Sequence, residues 1–435
     1  MSNFKIKLIV YILLIILISG LIFVKINFYK FYSIYFQKKW NFTSKSINEK
    51  NKNIIKIQNQ GKIFFENEEY NFLKFKLEDN GLKYSDDYNY RPIGYIDIFE
   101  DKILFAAHNG DFYLSNNISE IKEGKFNLNK FRETNFDFKF DYDDWLGYRN
   151  ILIRDILVYD KDLYVVINGS NKIKEEEYSL STIVIKGKIN LKDNKIKFKK
   201  FFDSQEIIIG STDFSHSGGR IVKYNKDNFL ITVSDHALMD NYKKFIKKMN
   251  SKDSIIGKTI MINENEYKIF SYGHRNPQGL FYDNKKNLIF ETEHGPTGGD
   301  EINLIKEGNH YGWPLASYGA RIDGLNMIRK HKKNDFTEPL TYWWPANCGI
   351  SEITKIEKNF HKNWKEYTLL NACLSGTANQ GESIYRWEYD LKKEKLIKKN
   401  QYHIGDRIRD MKYSTKFETI FLMLEDQKSI GLIFK

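Results

Sequence analysis

The stretch Tyr272–Pro314, YGHRNPQGLFYDNKKNLIFETEHGPTGGDEINLIKEGNHYGWP, sets the reading of the whole 435-residue chain. Its middle, Leu280–Glu293, is an apolar run, a turn of Asp, Asn and Lys, and a second apolar run, the pattern of a β-hairpin. On both sides of the hairpin, Arg, Asn, Gln, His, Asp and Glu are packed among glycines and prolines. Core strands do not need that chemistry, and plain surface loops do not hold it so densely. These segments therefore read as functional loops carried on a rigid scaffold.

The same hairpin pattern recurs outward in both directions: Ile96–Leu114, Asp155–Ile167, Arg220–Asp235 and Thr419–Phe434 each join two apolar runs through a short polar turn. Sustained helical periodicity is scarce, and Asp240–Asn250 is the stretch that reads as a short helix. Many antiparallel hairpins at quasi-regular spacing belong to a sandwich, a barrel or a propeller. From Ile54 onward the chain is too long for one small barrel, and no WD-type or kelch-type repeat fixes the number of units.

Apolar residues make up 41% of the chain, enough for a buried core. The net charge of +12 is spread over lysines along the whole length, interspersed with acids. Nucleic-acid sites need clustered positive charge, so no nucleic-acid partner is expected. Leu8–Val24 is an uncharged apolar run with lysines on both sides, and no small-residue cleavage signal follows it. We expect a tail at 1–7, a transmembrane signal anchor at 8–24, a juxtamembrane linker at 25–53 and an all-β domain at 54–435. The lysines after the anchor, counted alone, would keep that side cytoplasmic. The two cysteines, Cys348 and Cys373, are compatible with one bridge or with two separate buried thiols.

Three further segments carry polar chemistry. His216 sits in STDFSHSGGRIVKY, where two glycines let the backbone turn sharply and present an imidazole able to take a hydroxyl proton. Arg275, Asn276 and Gln278 come from one short segment, in which Pro277 and Gly279 shape a turn. Arg407 and Arg409 in GDRIRDM alternate onto one face of a strand, either as a surface ion-pair ladder or as a carboxylate site. Asp300 and Glu301 read as structural groups that cap loop amides and link neighbouring units rather than as a metal pair.

Taken together, His274–Leu280, Glu293–Leu304 and Tyr311–Pro314 resemble the motif core of the soluble aldose sugar dehydrogenases that use pyrroloquinoline quinone (PQQ) and calcium. That resemblance implies a six-bladed β-propeller, here with an N-terminal transmembrane anchor and facing the periplasm or cell exterior. It implies a general base at His216 and a charge-stabilising group at Arg275. Asn276, Gln278, Arg407 and Arg409 would join Arg275 in holding PQQ, and the backbone carbonyls of Gly295 and Pro296 would hold Ca2+. The substrate would be a sugar or related alcohol, with electrons passed to an external acceptor.

The resemblance weakens at two places. Ser215 precedes His216 where some family members carry an Asp that orients the ring. Ser375 or a neighbour stands where the family carries a quinone-binding lysine, a loss of about 1.5–3 kcal/mol if that contact is a charged hydrogen bond. The alternative is a non-catalytic propeller of the same scaffold that binds a ligand or protein.

Overall fold

The computed structural model describes residues 61–77, 94–107, 110–134, 150–174, 177–204, 207–209, 216–236, 242–320, 331 and 335–435. The run proposed as an anchor, 8–24, lies outside them. No helix among the described residues is long and apolar enough to cross a membrane.

Alternating apolar and polar residues, broken by Asp/Asn/Lys turns, give antiparallel strands whose two faces are both covered by neighbours. They form six sheets, each a blade of four to six strands that pair antiparallel except where Glu133–Thr134 lies parallel to the outer strand of blade 2. The inner strands, in chain order, are Gly94–Phe99, Asn150–Tyr159, Gly218–Lys223, Pro277–Asp283, Ile350–Ile356 and Ile408–Ser414. Each contacts the next, and the last contacts the first, so the blades close into a ring around an axis. The architecture is a six-bladed β-propeller.

Closure of the ring is made by the chain itself. Glu68–Lys76, near the start of the described chain, pairs with the last strand, Ser429–Phe434, in register from Asn71–Phe434 to Lys76–Ser429. Blade 6 thus contains strands from both ends of the propeller, which removes an exposed edge. Aliphatic and aromatic clusters fill the spaces between blades, such as Tyr164, Phe201 and Phe229 between blades 2 and 3. The short helix expected at 240–250 is present at Tyr242–Asn250.

Five of the six inner strands carry a β-bulge near their first turn of pairing, at Arg154, Gly219–Arg220, Gln278, Ser351–Glu352 and Arg409. An extra residue there re-aims the side chains around it. Pro277, read above as part of a turn, is instead the first residue of an inner strand, a position where its missing N–H costs no ladder bond.

Below the bulges the blades are joined by charged side chains. Asp97 accepts from the amide of Val158, Asp155 from Ile221, Glu352 from Leu280 and Asp410 from Ile96, each on a neighbouring inner strand. Arg220, buried at the centre, brings Nη1 within 3.3 Å of Asp155, 3.1 Å of Glu352 and 3.0 Å of Asp410. Burial pushes Glu352 up to about 7 against the pull of Arg220 and Lys412. Asp410 is buried too, yet the same two cations hold it below its ordinary value. Beneath this belt lies an axial cavity of about 320 Å3, bordered by all six inner strands.

Candidate active site

The functional loops gather at the end of the ring marked by the bulges. Gly218 and Gly219 both have positive φ, 63° and 95°, as the bulged start of the blade 3 inner strand requires. His216, just before them, is fixed through its carbonyl, which accepts a hydrogen bond from the Ser234 hydroxyl. Its Nδ1 lies 3.5 Å from Oδ1 of Asp235, a carboxylate that is 1% exposed. Ser215 lies outside the described residues, so any orienting group visible here is Asp235. Sequence reading missed it; the only signal was an acid two residues after the strand Phe229–Val233.

Asp235 is itself held by two further contacts. Trp313 Nε1 donates to its Oδ2 at 2.9 Å, and its own amide donates to the carbonyl of Arg275 at 2.8 Å. The Trp313 ring lies 5.5 Å from the Arg275 guanidinium, within cation–π range. Three blocks far apart in the sequence, around His216, Arg275 and Trp313, therefore meet at one aspartate.

Arg275 is buried. Its backbone amide donates to Glu293 Oε2 at 2.7 Å, and Nη1 donates to the carbonyls of His294 and Gly295 at 3.0 and 2.9 Å. Behind Glu293 lies His274, with Nδ1 2.8 Å from Glu291 and 3.4 Å from Glu293. Burial opposes its charge, but the two glutamates raise it to about 10. This trio is the cluster with metal-ligand spacing among the described residues. With its Nε2 against Ser271, a charged imidazole here balances the two buried glutamates. His294 is the opposite case: burial, together with Arg275 and His216, lowers it to about 4, and its Nε2 donates to Ile350 O at 2.6 Å.

Asp300 has the structural role read from the sequence. Its Oδ2 accepts from the amides of Cys348, Gly349 and Ile350, and its Oδ1 from the amide of Gly295. One carboxylate thus ties the Gly295–Pro296 turn of blade 4 to the entry of blade 5. Cys348 and Cys373 form a disulfide in that entry, with Cα atoms 5.5 Å apart and both residues buried.

A second group of residues forms a hydrogen-bonded floor across blades 4, 6 and 5. Gln278 Nε2 donates to Asn276 Oδ1 at 2.8 Å, and Arg409 Nη1 donates to Gln278 Oε1 at 3.2 Å. Arg409 and Arg407 share Glu425, through Nε at 2.7 and 3.0 Å respectively. Arg407 then reaches the hydroxyl of Ser375, the residue standing near the expected lysine position. Arg407 lies just before its strand rather than within it, yet both arginines face the same acceptor.

The floor and the turn suit the two groups implied by the resemblance to different degrees. Guanidinium forks and side-chain amides suit a planar polycarboxylate. The Arg407 side chain remains 30% exposed, open to such a ligand. For calcium, the Gly295 and Pro296 carbonyls are hard donors, and Gly295 O already accepts from Arg275. Two carbonyls fall short of the six to eight oxygens calcium takes, so a calcium there needs further oxygens from the cofactor and water.

Comparison with known proteins places the chain first in a structural class. The soluble aldose sugar dehydrogenase of Escherichia coli in its apo form superposes over 79% of this chain and 96% of its own, with a TM-score of 0.60 at 18% identity. The PQQ-bound aldose sugar dehydrogenase of Streptomyces coelicolor superposes over 83% and 98%, with a TM-score of 0.56 at 15% identity. These likenesses establish the shared propeller fold. The glucose/sorbosone dehydrogenase family model matches residues 157–433, and the chain belongs to that family.

Among sequence relatives, the aldose sugar dehydrogenase YliI of Escherichia coli is 28% identical over 36% of this chain and 45% of its own length. An uncharacterised Synechocystis protein, slr1608, is 29% identical over 45% of this chain and 50% of its own. The chain thus spans about half the length of the curated relatives it matches. The family match begins beyond blade 1, within the inner strand of blade 2.

Proposed function

We propose that this protein oxidises an aldose or related alcohol with PQQ and Ca2+. The observation that carries the reading is the meeting of His216, Arg275 and Trp313 at Asp235, beside a floor bearing Arg407 and Arg409. When bound, PQQ supplies the hydride acceptor that turns a hemiacetal into a lactone, and calcium supplies Lewis acidity.

His216 takes the hydroxyl proton at Nε2 while Asp235 faces Nδ1 and steadies the ring. Arg275, fixed by Glu293 and by two loop carbonyls, holds positive charge where negative charge develops in the acceptor. Arg407, Arg409, Gln278 and Asn276 would hold the cofactor's carboxylates and edge, and the Gly295 and Pro296 carbonyls would supply oxygens to the calcium. The two electrons would then leave the reduced cofactor to an external acceptor.

The test is reconstitution of the protein with PQQ and Ca2+, followed by a sugar screen with an artificial electron acceptor. Turnover in the wild type that falls by about 10²–10⁴ in His216→Ala supports the reading. Tight PQQ binding without turnover on any sugar would leave the alternative, a binding propeller of the same scaffold. Ser375 in place of the expected lysine is the observation that favours that alternative. We further infer from the apolar run at 8–24 a tether that presents the propeller to the periplasm or cell exterior. Resistance of the propeller to protease added to intact spheroplasts would contradict it.

A further inference from the structure

The bulges of the inner strands repeat one device, and its register points to a residue outside the set described above. In blades 2, 4 and 6 the bulge is a single extra residue: Arg154, Gln278 and Arg409. Gln278 and Arg409 both belong to the site floor and bond each other at 3.2 Å. The residue after each bulge turns the other way. Asp155 and Asp410, after Arg154 and Arg409, occupy equivalent places on Arg220 in the axial belt. Arg154 stands at the same bulge register as Arg409, which puts it on the mouth side rather than in the belt.

Two further observations place Arg154 at the site. It is 5% exposed, like Gln278 and Arg409 at 9% each. A Cβ built on Gly219 would fall 2.4 Å from Arg154 Cβ and 2.9 Å from its Cγ. The arginine stem therefore runs over the same glycine turn that presents His216. Charge gives it a purpose: Arg407 and Arg409 share Glu425, so that pair offers one net positive charge to a cofactor with three carboxylates.

We propose that Arg154 is a third guanidinium of the cofactor floor and binds a carboxylate of PQQ from the blade 2 side. This rests on the quinone reading given above. It makes the anion site three-sided, with blades 2, 4 and 6 each contributing the residue at its bulge.

The experiment is titration of the full chain with PQQ in the presence of Ca2+, by calorimetry and quinone absorbance, for wild type, Arg154→Gln and Arg154→Lys. Each protein is also melted without cofactor. The expected result is about a tenfold to hundredfold weaker affinity for Arg154→Gln, a smaller loss for Arg154→Lys, and unchanged apo melting temperatures. The salt dependence of binding should also become shallower in Arg154→Gln. Wild-type affinity in Arg154→Gln would overturn the proposal. So would loss of the folding transition in both variants, which would assign Arg154 to packing. Failure of the wild type to bind PQQ would instead bring down the quinone reading, and this proposal with it.

Discussion

Asp235 places one carboxylate oxygen 3.5 Å from Nδ1 of His216 and the other 2.9 Å from the indole N–H of Trp313. The tryptophan N–H holds this buried carboxylate beside the imidazole. Asp235→Asn keeps the shape and the tryptophan contact but removes the charge that steadies an imidazolium. We expect kcat on the best sugar to fall by about 10–10³, with KM changed much less. Steady-state kinetics of the reconstituted variant check this, and an equal rise in KM at constant kcat would contradict it.

Arg407 combines a shared acceptor, Glu425, with a partly open guanidinium. Its removal should cost the cofactor one charged contact and cost the fold little. Arg407→Ala is expected to weaken PQQ binding by about ten to a hundredfold while shifting stability by no more than about 1 kcal/mol. Calorimetry paired with urea unfolding separates the two effects.

His274 sets a pH dependence of stability. Its pKa in the folded chain is raised to about 10 from an ordinary 6.5. A raised base contributes stability that is fully present below its unfolded value and is lost as pH rises through its folded value. The melting temperature should therefore decline between about pH 6.5 and pH 10. Buried Glu301, held well above its ordinary value by burial and by Glu293, acts in the same direction from lower pH. His274→Gln should be less stable at neutral pH and show a flatter profile from pH 7 to 10. A wild-type curve that rises over that interval would refute the assignment.

The disulfide joins the segment entering blade 5 to the end of that blade's second strand, Thr368–Cys373, 25 residues on in the chain. Closing a loop of that size stabilises by about 3 kcal/mol through the unfolded state. Reduction, or replacement of both cysteines by alanine, should lower the unfolding free energy by roughly that amount. Thiol labelling of the unreduced, denatured protein should find no free cysteine.

Asp410 accepts from the Ile96 amide of blade 1 and from Arg220 of blade 3. Asp410→Ala leaves a buried guanidinium one partner short and unstaples the ring where its two ends meet. A loss of about 3–5 kcal/mol is expected in equilibrium unfolding. A loss below about 1 kcal/mol would show that the belt is dispensable.

Much of this was legible in the sequence because it is local. Hairpins appear as paired apolar runs around Asp/Asn/Lys turns, and the Tyr272–Pro314 blocks carry enough polar residues at fixed spacing to mark the site. Asp300 was readable as a loop cap, since an acid beside a Gly-Gly turn has amides within reach. Arg407 and Arg409 could be assigned one shared face, but not the acceptor they share, because Glu425 comes from the neighbouring strand's end.

The sequence by itself determined the strand pattern, the density of functional loops and the residue types available for proton transfer and anion binding. Those follow from periodicity and side-chain chemistry along a few residues at a time. Only the tertiary structure decided which acid faces His216, that Cys348 and Cys373 pair, that the first strand completes the last blade, and that Arg154 shares the register of Arg409. The reason is physical: each of these is a contact between segments brought together by ring closure and strand register. A one-residue bulge reverses which way a side chain points, and no local preference in the chain reports it.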